Sequence, residues 1–216
     1  MVRVVEITGD GVEKLSEIAP LVAKGKLIIY PTDTVYGLGT SPYLRDSVLK
    51  VFKLKKRELG KPLPILTSSI DKAKELVEFN ELAEELAVRF WPGPLTLVLP
   101  LKAKNLPSYV HGGTSKLGVR IPNHEIALTL IKLIGGYLIG TSANISNYPP
   151  PTSAEEALNY FANVNDDLIL IDGGPTPLKT PSTVVDLTVR PPRLLRIGAL
   201  KSYEVLKVVS NAFRRI

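Results

Sequence analysis

The residues most able to do chemistry lie in four short segments of the chain. The first, residues 30–39 (YPTDTVYGLG), follows a predicted strand and carries two hydroxyls and a carboxylate on a backbone that Pro31 stiffens. Groups in this pattern can orient a small polar substrate through hydrogen bonds. The same residue types also form ordinary Asx and Ser/Thr turns after strands. The segment therefore predicts either a substrate-orienting loop or a simple turn.

The second segment, residues 53–61 (KLKKRELGK), places five cations and one acid at a predicted helix end before Pro62. Cations at a helix C-terminus interact favourably with the helix dipole, so the run fits a solvated helix end. It also fits a polyphosphate clamp, because arginine offers a planar fork of donors and lysine a mobile point charge. The residue types alone favour neither interpretation.

The third segment sets one arginine, Arg120, at the end of an apolar strand in residues 118–122 (GVRIP). An arginine among apolar neighbours requires an anionic partner, because an isolated buried charge is costly. That partner is either an internal acid, such as Asp33 or Asp186, or the carboxylate of a substrate.

The fourth segment combines residues 140–144 (GTSAN), at the end of an apolar strand, with residues 181–186 (PSTVVD) and 194–196 (LLR). Open α/β sheets bind ligands at the carboxyl ends of strands, where a Ser-x-Asn turn can direct a hydroxyl and an amide at phosphate oxygens. Ser142 and Asn144 serve equally well as turn formers ahead of the prolines at 149–151.

Several classes of site are excluded by what the sequence lacks. The chain has no Cys, which excludes disulfides, cysteine-ligated metals and thiol nucleophiles. It has no Gly-x-x-x-x-Gly-Lys-Ser/Thr loop, and the Gly-x-Gly at residues 37–39 lacks the third glycine of a dinucleotide fingerprint. Only two histidines are present. We therefore expect no metal bound by the protein itself, and any nucleotide must be bound without a P-loop.

The elements that must position these segments alternate between strand and helix from end to end, which is the pattern of an α/β fold. Several strands are continuously apolar, as expected for strands covered on both faces. The pattern predicts a twisted, mixed or parallel open sheet flanked by helices, in a single domain of residues 1–216. Predicted strands cover residues 3–7, 27–30, 64–67, 95–99, 117–121, 137–141, 168–171, 183–187 and 194–197, and predicted helices cover residues 12–24, 45–55, 70–77, 81–90, 125–134, 154–161 and 203–214.

Composition bounds the class of protein. With 44% hydrophobic residues among 216, the chain can bury a sizeable core, and it lacks the roughly 20 consecutive apolar residues of a membrane span. The N-terminal residues show no signal-peptide pattern, so we expect a cytoplasmic protein. A net charge of +6 favours an anionic partner such as a nucleotide or RNA. The absence of Gln and the single Met are typical of heat-adapted proteins.

Taken in order, these segments resemble the YrdC family, from residue 27 to about residue 200. The resemblance implies a twisted α/β fold with a concave, positively charged cavity. It also implies the synthesis of threonylcarbamoyl-AMP and pyrophosphate from L-threonine, bicarbonate and ATP, for the t6A modification of tRNA. The motifs that carry it are PTDTVYGLG at residues 31–39, Lys-x-Arg at 55–57, WPGPLT at 91–96, VRIP at 119–122, TSANIS at 141–146, STVVD at 182–186 and LRIG at 195–198.

The same resemblance implies which side chains serve which substrate. Thr34, Arg120 and Ser182 match positions that contact threonine, and Lys55 and Arg57 form the catalytic pair that neutralises phosphate charge. Mg²⁺ arrives with ATP, and tRNA is served indirectly, through a downstream threonylcarbamoyl transferase. The implied nucleotide contacts are Lys55, Arg57, Lys61, Ser142, Asn144 and Arg196.

The chain departs from the family pattern at three positions. Leu66 stands where many relatives carry histidine, Lys61 where asparagine is common, and Ile197 in place of a proline. A different function also fits the charge, namely a module that binds double-stranded RNA or tRNA without turnover. Carbamoyl transfer in hydrogenase maturation would require zinc-finger and acylphosphatase segments, which this sequence does not contain. Threonine-dependent pyrophosphate release separates the enzyme from the RNA-binding module.

Overall fold

The computed structural model describes residues 2–7, 11–164 and 168–213. Within them the strands are β1 (Val2–Glu6), β2 (Leu27–Tyr30), β3 (Gly37–Gly39), β4 (Ile65–Thr67), β5 (Leu95–Pro100), β6 (Lys116–Arg120), β7 (Tyr137–Ile139), β8 (Thr141–Ser142), β9 (Leu168–Asp172), β10 (Thr183–Asp186) and β11 (Arg193–Arg196). The helices are α1 (Val12–Ala23), α2 (Arg45–Lys55), α3 (Ile70–Leu76), α4 (Glu81–Phe90), α5 (Glu125–Leu133), α6 (Ala154–Phe161) and α7 (Ser202–Phe213).

The strands form two mixed sheets. The first has the order β1-β9-β2-β3-β8, in which β1, β9 and β2 are parallel and β3 pairs antiparallel with β2 and β8. The second has the order β11-β10-β5-β6-β4-β7, with parallel pairing only between β10 and β5 and between β4 and β6. The predicted α/β class is confirmed. The sequence pattern does not reveal that the strands are divided between two sheets.

Buried apolar side chains fix the two sheets and the helices relative to one another. In the smaller cluster, Leu15 of α1 and Leu130 of α5 pack with Ile28 of the first sheet. In the larger cluster, Leu38 of the first sheet packs with Leu97 of the second. The strand ends of both sheets are therefore held in fixed relative positions. Among the described helices, none combines the length and the apolar character needed to cross a bilayer.

All the predicted helices and strands are present, with boundaries shifted by no more than two residues. Residue 214, the predicted end of the last helix, lies outside the described residues. Two differences bear on the site. The predicted strand at 137–141 breaks at Gly140 into β7 of the second sheet and β8 of the first, so the chain crosses between the sheets there. The sequence also gives no signal for β3, a short strand between two glycines.

Gly39 of β3 is required by close backbone packing. A Cβ atom on this residue would lie 2.1 Å from the carbonyl oxygen of Ile139 in β7. Glycine is normally disfavoured in strands, which is why the pattern predicts a loop, but it permits this close approach of two backbones. The first and second sheets thus meet closely at the strands that flank the candidate site.

Candidate functional site

A cavity of about 140 Å³ opens where strand ends of the two sheets face each other. Apolar residues such as Pro64 and Leu66 form part of its wall, and no Asp or Glu is among the described residues that line it. The polar residues that line it are Tyr30, Thr32, Thr34, Tyr36, Arg57, Thr96, Arg120, Thr141, Ser142, Ser182 and Arg196.

The loop between β2 and β3 supplies two threonines to the cavity through a tight turn. The Thr32 hydroxyl accepts from the backbone N–H of Thr34 at 3.1 Å and of Val35 at 3.2 Å, and donates to the Val35 carbonyl at 2.6 Å. This is a Ser/Thr turn. The turn expected for residues 30–39 is therefore present, and it places Thr34 in the cavity wall.

Arg120, at the end of β6, forms a buried ion pair. The residue is 5% exposed; its Nε donates to the Gly93 carbonyl at 2.9 Å, one Nη donates to the Thr34 hydroxyl at 2.9 Å, and the other donates to Asp33 Oδ1. Burial lowers the pKa of the guanidinium, and the neighbouring Asp33 opposes that shift. A guanidinium has five N–H groups, so two remain to bind a ligand in the cavity.

The internal partner expected for Arg120 is thus Asp33, and the Asp186 alternative is wrong. Asp186 lies at the far end of β10, where its Oδ2 accepts from Lys116 Nζ at 2.7 Å. The Oδ2 atom of Asp33 is buried and has no hydrogen-bond partner. Arg120 is therefore the main compensation for the buried Asp33 carboxylate.

Arg57 enters the cavity from the turn that ends α2. Its Nε and Nη2 donate to the backbone carbonyls of Lys61 at 3.2 Å and Pro62 at 2.9 Å. Burial lowers the pKa of Arg57, and the charge of Glu58 opposes the shift. Within the described residues this guanidinium is oriented by neutral carbonyls rather than by a carboxylate. Its remaining donors are available to an anion.

Arg196 and Ser182 form a second polar group in the cavity wall. Arg196, at the end of β11, donates to the Ser182 carbonyl at 2.8 Å and to its hydroxyl at 2.9 Å. The same hydroxyl lies 2.8 Å from the Thr96 hydroxyl. Burial lowers the pKa of Arg196, as do the charges of Arg120 and Arg57. The three guanidinium groups are therefore close enough to repel one another, which favours a bound anion.

Lys55, predicted as a catalytic residue, is buried and fully hydrogen-bonded behind the cavity wall. It is 2% exposed and does not line the cavity. Its Nζ donates to the backbone carbonyls of Ser142 at 2.5 Å and Asn144 at 2.8 Å, and to Asn144 Oδ1 at 3.3 Å. An ammonium group has three N–H donors, so all are used. Burial, and then the charge of Arg57, lowers the pKa of Lys55 to about 7.

Asn144 completes this network and, like Lys55, is not among the residues that line the cavity. Its Oδ1 accepts from the Ser142 hydroxyl at 2.5 Å, and its Nδ2 donates to the carbonyls of Ile145 at 2.9 Å and Tyr148 at 2.6 Å. Ser142 itself lines the cavity. Lys55 and Asn144 thus fix the turn after β8 and hold Ser142 at the cavity surface.

Lys61 lies outside the cavity. It is exposed, and its Nζ is 3.2 Å from Glu58 Oε1 in a surface ion pair. Six of the predicted site residues come together in one cavity, and three do not. Those that line it are Thr34, Arg57, Arg120, Ser142, Ser182 and Arg196, and those that do not are Lys55, Lys61 and Asn144.

The sequence gives no site role to several residues of the cavity wall, among them Thr96 and Leu66. Thr96, the last residue of the WPGPLT motif, is a hydroxyl in an otherwise apolar strand, a signal that could have identified it. Leu66 is 3% exposed and packs over Gly140, where a Cβ atom would lie 2.4 Å from Leu66 Cγ. Nothing in the pattern of β4 distinguishes Leu66 from an ordinary core residue.

The described residues offer no metal-binding cluster. They contain no group of three or more His, Cys, Asp or Glu placed to hold a metal ion. Any cation in the cavity would therefore have to be bound mainly by the ligand that brings it.

Comparisons with known proteins agree with this architecture. The Sua5/YciO/YrdC family model, described as telomere recombination, matches residues 21–198. A threonylcarbamoyl-AMP synthase of Pyrococcus abyssi is 44% identical over 200 residues, which cover 92% of this chain and 58% of that protein. The threonylcarbamoyl-AMP synthase of Bacillus subtilis is 35% identical over 199 residues, covering 91% of this chain and 56% of that protein.

A solved structure extends the similarity to three dimensions. The crystal structure of Pyrococcus abyssi Sua5 in complex with L-threonine is 42% identical and matches with a TM-score of 0.88, over 96% of this chain and 60% of that one. The chain thus spans a little over half the length of the relatives it matches.

Proposed function

The chain belongs to the Sua5/YciO/YrdC family, and we propose that it makes threonylcarbamoyl-AMP and pyrophosphate from L-threonine, bicarbonate and ATP. The observation that carries this proposal is the convergence of three arginines on one cavity with no lining carboxylate among the described residues. Such a cavity favours substrates with several anionic groups. The relatives named threonylcarbamoyl-AMP synthase, and the Sua5 structure with threonine, support the same assignment.

The proposed reaction needs positioning and charge neutralisation, and no nucleophilic side chain. The threonine amine and bicarbonate condense to a carbamate with loss of water. A carbamate oxygen then attacks the α-phosphorus of ATP, and pyrophosphate leaves as the bond to its oxygen breaks. Charge develops on phosphate oxygens during this step, and preorganised donors around it stabilise the transition state.

The threonine end of the cavity is assigned to Arg120, Thr34 and Ser182. The two N–H groups of Arg120 that are not bound internally match a carboxylate, which guanidinium groups bind in bidentate fashion. The Thr34 hydroxyl accepts a hydrogen bond from Arg120, and the Ser182 hydroxyl accepts one from Arg196. Their hydroxyls can hydrogen-bond the amine and hydroxyl of threonine.

The phosphate end is assigned to Arg57, Arg196 and Ser142. Arg57 is the member of the predicted catalytic pair that lines the cavity, and we assign it the role of neutralising charge at the α- and β-phosphates. Lys55 and Asn144 are assigned a positioning role, because their donors are already bound in the turn that carries Ser142. Lys61 would have to leave Glu58 to reach a phosphate.

Magnesium enters this proposal as part of the substrate, MgATP. The polar lining consists of hydroxyl and guanidinium groups, which do not supply the carboxylate oxygens of a dedicated magnesium site. The phosphate oxygens of ATP would hold the ion. The product would pass to a downstream transferase that modifies tRNA, and we propose that both steps take place in the cytoplasm.

The direct test is pyrophosphate release by the purified protein with MgATP, bicarbonate and L-threonine. Release is expected only when all three are present, and D-threonine serves as a matched control because it has the same groups in the wrong arrangement. If pyrophosphate is not released, or is released regardless of threonine, while double-stranded RNA binds tightly, the RNA-binding alternative replaces the synthase.

A further inference from the structure

One of the two histidines of the chain, His124, has no role in the site described so far. It precedes α5, four residues after Arg120, and its side chain makes no capping hydrogen bond to that helix. Its Nδ1 atom is buried and has no hydrogen-bond partner. Buried polar atoms without a partner are rare and costly, because the hydrogen bonds lost to water are not replaced. This nitrogen therefore requires a partner nearby.

The carboxylate of Asp33 presents the complementary atom. Its Oδ1 accepts from Arg120, whereas its Oδ2 is buried and unpartnered. An ionised carboxylate only accepts hydrogen bonds, and a neutral imidazole donates from one of its two nitrogens. Among the described residues, the other buried side-chain atoms without a partner are hydroxyl oxygens. Nδ1 of His124 and Oδ2 of Asp33 are thus the one nitrogen and the one carboxylate oxygen in that group.

Packing brings the segments that carry these two residues together. The side chains of Pro31 and Ile126 both meet Gly173, where a Cβ atom would lie 2.9 Å from Pro31 Cγ and 2.5 Å from Ile126 Cδ1. Asp33 comes two residues after Pro31, and His124 two residues before Ile126. The start of α5 therefore lies close to the loop that carries Asp33.

Electrostatics indicates the same proximity. Burial lowers the pKa of His124 below its ordinary value, and the charges of Asp33 and then Glu125 oppose this shift. The ring is therefore neutral at neutral pH, and only one of its nitrogens carries a hydrogen. A neutral ring with that hydrogen on Nδ1 can donate to Asp33 without placing a second cation beside Arg120.

We propose that His124 is a positioning residue, which donates from Nδ1 to Asp33 Oδ2, directly or through one buried water, and thereby fixes the Asp33–Arg120 pair. His124 does not line the cavity, so it acts through Asp33. With both of its oxygens bound, the Asp33 carboxylate holds one orientation, and Arg120 keeps its two free N–H groups in the cavity. This inference rests on the proposed function, since it takes Arg120 as the group that binds the threonine carboxylate.

The kinetic test compares His124→Ser with His124→Asn. Serine and asparagine are equally good residues before a helix, so both variants preserve the start of α5. Only asparagine has a nitrogen where the histidine has Nδ1. His124→Ser is expected to raise the threonine KM about tenfold, with kcat and the ATP KM unchanged. His124→Asn is expected to keep the threonine KM close to that of the wild type.

The matched control is the other histidine, His111. Its Nδ1 lies 2.6 Å from the Thr114 carbonyl in a turn outside the cavity. His111→Ser should therefore leave the threonine KM unchanged. A second measurement does not depend on activity, namely the imidazole tautomer of His124 in the full chain, read from long-range ¹H–¹⁵N NMR correlations at neutral pH. The hydrogen is expected on Nδ1.

Three results overturn the proposal. They are a hydrogen of the neutral ring on Nε2, an unchanged threonine KM in His124→Ser, and a threonine KM in His124→Asn that is raised as much as in His124→Ser. Failure of the proposed function is a different observation. If the wild type releases no pyrophosphate in response to threonine, the proposed function fails, and the positioning role fails with it, whichever nitrogen carries the hydrogen.

Discussion

Two buried basic side chains next to the same cavity are accommodated in different ways. Arg120 is paired with the carboxylate of Asp33 and keeps two donors for the cavity, whereas Lys55 meets only carbonyl and amide oxygens and has no donor left. An ion pair lets a cation stay charged and still bind a ligand. A lysine whose donors all bind neighbouring protein groups shapes the site without touching the substrate.

The largest expected effect comes from removing the paired cation. Arg120→Met should lower the free energy of unfolding by about 3 to 5 kcal/mol, because it leaves Asp33 buried without a partner. Urea unfolding measures this directly. The matched control is Lys74→Met, which breaks a 2.7 Å ion pair with Glu84 at the surface and should cost about 1 kcal/mol or less. Equal losses in both variants would contradict the buried-pair account.

The next effect distinguishes Arg57 from Lys55, its neighbour in the predicted catalytic pair. Arg57→Ala should reduce turnover at least about a hundredfold, since one charged donor to a developing phosphate charge contributes about 2.7 to 4 kcal/mol. Its melting temperature should stay near that of the wild type, because its internal partners are two carbonyls near the surface. Arg45→Ala, at an exposed position on α2, is the control. Unchanged turnover in folded Arg57→Ala would mean that residues 53–61 are only a solvated helix end.

A third effect, dependent on pH, tests whether Lys55 loses its charge in the fold. Its pKa is about 7 in the native protein and 10.5 in its ordinary state, so between these values the unfolded chain binds one more proton. Stability from this group therefore rises with pH across that window, by up to about 1.4 kcal/mol per pH unit, and is lost as pH falls to 7.

The measurement is the difference in unfolding free energy between wild type and Lys55→Met at several pH values from 7 to 10. This difference should grow in favour of the wild type as pH rises. Lys53→Met, at an exposed position on the same helix, should show no such trend. A flat difference for Lys55→Met would mean that the ammonium stays charged in the fold.

The sequence predicts the elements well because their apolar patterns and end signals are local. β2, for example, is four consecutive buried apolar residues, and Asn80 accepts from the Ala83 N–H to start α4 as its residue type suggests. The division into two sheets depends on Gly140, where one predicted strand crosses from sheet to sheet. That choice is made by long-range pairing, which no local pattern encodes.

The sequence predicts many of the residues that line the site, but it does not predict the role of each. Arg120 requires an acidic partner because its neighbours are apolar, and Asp33 is that partner. Lys55, however, has the same type and spacing whether its ammonium faces a phosphate or the backbone of residues 142–144. Only the fold shows that it faces the backbone, and only the fold brings Thr96 within 2.8 Å of the Ser182 hydroxyl.

The central claim, that Arg120 is held by Asp33 and still binds the substrate carboxylate, is tested most directly by Arg120→Lys. The threonine KM should rise roughly ten- to a hundredfold while the ATP KM changes little, because a point charge cannot reproduce a bidentate fork and a charged hydrogen bond contributes about 1.5 to 3 kcal/mol. Measuring both constants and the melting temperature on one variant decides the matter. A destabilised enzyme with an unaltered threonine KM would make Arg120 part of the scaffold alone and contradict the account.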